Sequence, residues 1–203
     1  MNSILRILRN TDQSELSYVW RAWLIDTIGT HVSLFSVWYI SHLHYFLPTL
    51  KRPMYEKPLM SEFFWSVVWT PLIETLIMWP ILLILNWLLQ KPLLAALVSA
   101  VLWGMYHSVY YPWHGFIVFW GFFVMSVCFL EWQKKSTSKA ILVTTCIHML
   151  HNTVPLVARL IRIIATSWDW PNRPLCSWKK RNHDLPDAGM CEMENERRIL
   201  GTR

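Results

Sequence analysis

Residues 92–130 read PLLAALVSAVLWGMYHSVYYPWHGFIVFWGFFVMSVCFL, and these 39 positions contain no Lys, Arg, Asp or Glu. A helix on the surface of a soluble domain keeps a polar face, and none can be drawn on this stretch. One helical crossing of a bilayer needs about 20 mostly apolar residues, so the run is long enough for two. Pro112, within Tyr110-Tyr111-Pro112-Trp113-His114, divides it. The expected spans are 93–111 and 115–131, with the aromatic cluster as an interfacial belt.

The pattern extends outward from this run. Residues 63–90 hold one charge, Glu74, and residues 27–50 and 140–158 hold none. Further spans are therefore expected at 27–47, 63–89 and 140–158, the last running on as helix to about residue 166. Pro71 and Pro80 should distort the 63–89 span, which membrane helices tolerate when neighbours satisfy the freed carbonyls. Residues 2–23 mix Ile4, Leu5, Ile7, Leu8, Leu16, Val19, Trp20 and Trp23 with charges, the pattern of an amphipathic helix lying in the interface. From Trp168 onward, 13 of 36 residues are charged, with Pro171, Pro174 and Pro186 among them. The fold class expected is all-α: a polytopic integral membrane bundle of about five transmembrane helices plus an N-terminal interfacial helix. Its parts are an interfacial segment 1–26, a transmembrane domain 27–166 and a polar tail 167–203. The expected location is the cell (inner) membrane, as a multi-pass protein.

Composition excludes several other classes. The chain has 203 residues, 54% hydrophobic and 16% charged, far too apolar for disorder and without the periodicity of collagen or a coiled coil. Residues 1–167 carry 12 basic and 7 acidic side chains. This basic excess suits anionic lipid headgroups, and no nucleic-acid-binding motif accompanies it. The first 20 residues include Arg6, Arg9, Asp12 and Glu15, so no cleavable signal peptide is expected. Cys128 and Cys146 lie in apolar segments as packing residues; Cys176 and Cys191, with His183 between them, match no standard zinc spacing. Lys and Arg fall on both sides of a five-span topology, so the positive-inside rule sets no orientation.

The informative residues are the polar ones inside the spans. Glu74 lies eleven residues from Phe63 and sixteen from Gln90, too deep to snorkel. A carboxylate at that depth is disfavoured by about 2.5 to 3.5 kcal/mol on insertion scales and usually faces a cavity or a partner. His107 lies deep in 93–111, and His148, His151 and Asn152 lie in 140–158. His148 and Asn152, at i and i+4, share one helix face. Together these groups make a poor lipid-facing set and a good shared polar cavity. A carboxylate can act as general base on water, with a His holding that water, and a His/Asn pair can donate to an oxyanion. Glu with two His is equally a plausible zinc set, and His107 with His148 could hold a haem iron. No Gly-x-Ser-x-Gly, His-Glu-x-x-His or Walker motif is present.

At these residues the chain resembles the CPBP intramembrane proteases, the family of type II CAAX prenyl endopeptidases and bacteriocin-processing or immunity proteins. The family's Glu-Glu-x-x-x-Arg motif, often preceded by Pro, is matched by Pro71-Leu72-Ile73-Glu74-Thr75-Leu76-Ile77-Met78-Trp79. Its Phe-x-x-x-His motif is matched by Trp103-Gly104-Met105-Tyr106-His107, and its His-x-x-x-Asn motif by His148-Met149-Leu150-His151-Asn152. The order is that of the family, and the resemblance covers about residues 63–158. It implies a hydrolase, an endopeptidase acting on a membrane-associated peptide or protein. Glu74 would be the base, His107 would help hold the water, and His148 and Asn152 would form the oxyanion site. A metal-independent mechanism is expected, with zinc the less favoured alternative. Thr75 stands where the pattern has its second Glu, and Trp79 where it has Arg. Those departures leave open a catalytically silent relative that binds a peptide as a scaffold or immunity protein.

Overall fold

The structure is a computed structural model that describes residues 2–44, 58–109 and 112–168. The loop cations Lys51, Arg52 and Lys57, the belt tyrosines Tyr110 and Tyr111, and the polar tail with Cys176, His183 and Cys191 lie outside the described residues. Every regular element among the described residues is a helix. In order these are α1 (Asn2–Arg9), α2 (Glu15–His44), α3 (Leu59–Glu62), a π-helical stretch Phe63–Trp69, α4 (Thr70–Leu89), α5 (Pro92–Ser108), α6 (His114–Gln133) and α7 (Thr137–Trp168). Residues 1–156 make one compact unit and residues 157–203 a second. The described part of the second is the end of α7, where Val157, Leu160, Ile161, Ile163 and Ile164 are exposed.

Three helical stretches are long and apolar enough to cross a bilayer: Leu59–Leu89, His114–Gln133 and Thr137–Ala165. At 1.5 Å per residue their 31, 20 and 29 residues are all at least about 30 Å long, the thickness of the hydrocarbon core. The apolar α5 has 17 residues.

Local chemistry sets the boundaries. The N-terminal region is two helices, where the sequence suggested one over 2–23. Asn10 Oδ1 accepts the Asp12 N–H at 3.2 Å, a local bond that competes with helix. Ser14 then starts α2 by accepting the Ser17 N–H on its hydroxyl at 3.4 Å, an N-cap. From there α2 runs unbroken through residue 26. Gln90 ends α4 in the left-handed region, φ 50°, and Pro92 opens α5 at N1, where its missing N–H is harmless. α5 ends at Ser108 and α6 begins at His114, with Pro112 in neither helix. Pro71 and Pro80 behave differently. The π-helical turns end just before Pro71, while α4 runs through Pro80 as helix.

The centre of the first unit is α6. Val124 to Trp132 are nine consecutive buried residues, so this helix is covered on every side, as its all-round apolarity requires. Small residues let its neighbours approach. A Cβ on Gly115 would collide with the Gly104 carbonyl oxygen and the Ser108 hydroxyl, so α5 and α6 cross backbone to backbone. On α2, Gly29 makes room for the Trp120 indole, which donates to the Ile25 carbonyl at 3.0 Å.

At the end of α6 the N-terminal segment is fastened down. The Tyr18 hydroxyl donates to the Leu8 carbonyl at 2.6 Å, and its ring meets Trp132 edge-on at 5.2 Å. Burial pushes the Tyr18 phenol well above its ordinary ionisation range. Glu131 pairs with Lys134 and with Arg9, and Lys139 reaches Glu15 at 2.6 Å. The Lys139–Glu15 pair is exposed and contributes little, whereas Glu131 is itself buried; together they mark a polar rim beyond the apolar helices.

Candidate active site

Glu74, His107 and His148 come from α4, α5 and α7 and meet at one point. Glu74 Oε1 is 3.8 Å from His107 Nε2, and Glu74 Oε2 is 3.4 Å from His148 Nε2. The three side chains are 15%, 17% and 6% exposed, so the carboxylate is enclosed but still reachable. Each imidazole is oriented by its surroundings. His107 Nδ1 bonds the Trp103 carbonyl at 2.9 Å. A carbonyl only accepts, so Nδ1 carries the hydrogen and Nε2 is turned to Glu74. The buried Phe122 of α6 lies against both rings, 5.1 Å from His107 and 5.7 Å from His148 between centroids. Phe122 is itself stacked on Trp103 at 4.9 Å with 4° between planes.

The separations of 3.4 and 3.8 Å are longer than a good hydrogen bond, so the carboxylate is flanked by the two imidazoles without a tight bond to either. Among the described residues no group of three or more His, Cys, Asp and Glu side chains is gathered to hold a metal ion.

Asn152 is placed elsewhere. Its Nδ2 donates to the backbone carbonyl of Ser66 at 2.8 Å, in the π-helical stretch. His151, between the two motif residues of α7, is paired with a third helix: its Nδ1 lies 2.7 Å from Asp26 Oδ2 on α2. Asp26 is fully buried, and its other oxygen accepts from the Thr30 hydroxyl at 3.4 Å. A Cβ on Gly121 would stand 2.8 Å from Asp26 Oδ1, so glycine at 121 leaves the space this pair occupies. Three polar residues of α7 thus face three partners: His148 stands against Glu74 of α4, His151 bonds α2, and Asn152 bonds the π-helical turns.

Three residues near the site escape the sequence reading. Asp26 falls at the boundary drawn between interfacial segment and first span, and only helix continuity through that boundary places it at depth. Phe122 is one aromatic among many, with no signal of its own. His114, expected in the interfacial belt, has its ring 5.4 Å from that of His107, because α6 starts there and directs its first turn back over the end of α5. The two departures from the motif both face inward: Thr75 is buried, and Trp79 packs against the core. No protein-family model, no curated protein and no solved structure matches the chain.

Proposed function

We propose that this protein is an intramembrane endopeptidase of the CPBP type, hydrolysing a peptide bond of a membrane-associated peptide with water activated by Glu74. In this reading α2 from residue 27 onward, Leu59–Leu89, α5, α6 and α7 make five crossings of the cell (inner) membrane, and the chain from α1 to residue 26 lies at the interface. The observation that carries it is the placing of one intramembrane carboxylate between two imidazole Nε2 atoms from two other helices.

The chemistry follows from that placing. A water held by Glu74 and His107 attacks the carbonyl carbon of the scissile bond, and its proton goes to the Glu74 carboxylate. The carbonyl oxygen becomes an oxyanion, stabilised by donors on His148 and Asn152. Glu74 then returns the proton to the amide nitrogen as the carbon–nitrogen bond breaks, releasing an acid and an amine. Cleavage of a peptide library by the parent and by Glu74→Gln tests this. Loss of a general base lowers the rate by about 10² to 10⁴, while equal rates reject the mechanism.

A second reading, a silent relative that binds a peptide without cutting it, is favoured by one observation. The Asn152 amide is bonded to Ser66 and not directed at Glu74. Saturable peptide binding by a parent that cleaves nothing supports that reading.

A further inference from the structure

The Ser66 carbonyl has lost its backbone donor for a covalent reason. In a π-helix each N–H bonds the carbonyl five residues back. The last such bond here runs from the Thr70 N–H to the Trp65 carbonyl. The next in register would run from residue 71 to Ser66, but residue 71 is proline and has no N–H. The α-helical alternative, Thr70 to Ser66, is unavailable because Thr70 already bonds Trp65. Asn152 Nδ2, arriving from α7, supplies the donor at 2.8 Å.

The position of this carbonyl is informative. Ser66 is exposed, and so are Phe63, Phe64, Trp65 and Trp69 around it. On a helix that crosses the bilayer this surface meets hydrocarbon, where an unpaired carbonyl is strongly disfavoured. Lipid tails have no donor to offer. A helical peptide has none along its length either, since its N–H groups are internally bonded. An extended peptide has a free N–H at every residue other than proline.

We propose that the Ser66 carbonyl is a docking point for the backbone N–H of an extended, membrane-embedded apolar peptide, and that Asn152 covers this acceptor while the site is empty. The exposed aromatic rings beside it receive the peptide's apolar side chains. When a peptide N–H takes over at Ser66, the Asn152 amide is released on the same helix face as His148, one turn away. The proposal rests on the peptide-binding reading of the preceding section, but does not require hydrolysis.

Two measurements on the full chain in lipid nanodiscs test it. The first is thermal stability in a double-mutant cycle. Asn152→Ala should lower the melting temperature of the parent but leave Pro71→Ala little changed, because an alanine N–H at position 71 restores a donor to Ser66. Equal losses in both backgrounds overturn the claim that Asn152 covers that carbonyl. The second is binding of dansyl-labelled alternating Leu/Ala peptides to Glu74→Gln, in which hydrolysis plays no part. Replacing single amides of the peptide by esters removes one N–H at a time. One position should weaken binding about tenfold, the size of one hydrogen bond, and the same ester should have no effect in Glu74→Gln with Pro71→Ala. Ester substitutions that are all silent, or no saturable binding, overturn the docking point. A parent that binds in this way but never cleaves refutes the peptidase mechanism alone.

Discussion

Breaking the pair between Asp26 and His151 should be asymmetric, and the asymmetry follows from burial. The Asp26 side chain is fully buried and that of His151 is 18% exposed, with 2.7 Å between the bonded atoms. His151→Leu leaves a carboxylate enclosed among α2, α6 and α7 with the Thr30 hydroxyl, 3.4 Å away, as its hydrogen-bond donor. Removing one partner of a buried pair destabilises by about 3 to 5 kcal/mol. Asp26→Leu instead leaves an imidazole that can stay neutral and reach the partly open side, a loss of about 1 to 3 kcal/mol for one unsatisfied group. The double variant replaces both groups by apolar ones of similar size. It should be more stable than His151→Leu alone, since apolar replacements of a buried pair are often neutral or stabilising. Unfolding in mixed micelles, followed by circular dichroism, measures all four proteins. Losses that simply add across the cycle, or equal losses for the two single variants, would refute the reasoning.

Other consequences are as specific. Gly115→Ala drives a methyl group into the Gly104 carbonyl and the Ser108 hydroxyl, and should destabilise by about 1 to 3 kcal/mol in the same unfolding assay. The buried Tyr18 phenol keeps its proton in the fold while the unfolded chain ionises near its ordinary value of 10.0. The unfolded state therefore binds fewer protons above that pH, and stability should fall as pH rises there; Tyr18→Phe should flatten this part of a stability-against-pH curve. Trp79→Arg alone buries an unpaired cation and should destabilise, whereas Thr75→Glu with Trp79→Arg supplies an i, i+4 partner and should be better tolerated. Stabilities with no coupling between positions 75 and 79 would count against that.

Much of the helical order was legible because charge is so unevenly spread. The 39-residue neutral run and Pro112 locate α5 and α6, and Lys91-Pro92 locates the turn before them. The N-terminal boundary was not legible, because Asn10, Asp12 and Ser14 break the helix through local side-chain bonds that periodicity does not register. Glu74, His107 and His148 could be picked out because polar groups are conspicuous in apolar helices. Asp26 could not, since Arg21 and the interfacial pattern before it make a charge there look ordinary. What makes it unusual is a contact with a residue 125 positions away. Asn152 shows a further limit: its i, i+4 relation to His148 gives a shared face, but the partner on that face depends on Pro71 having displaced a carbonyl on another helix.

That dependence ties the first motif to the third by backbone chemistry. Pro71 is three residues before Glu74, so the feature that frees the Ser66 carbonyl also sits at the start of the helix that carries the carboxylate. A regular α-helix through Pro71 would leave the Val67 carbonyl, four residues back, against the proline ring. The wider π-helical turns relieve that clash and shift the orphaned carbonyl to Ser66, where α7 can reach it. Asn152 is held there while His148, four residues earlier on α7, is held at Glu74. The same two helices are therefore joined twice, once at the proposed base and once at the proposed peptide acceptor.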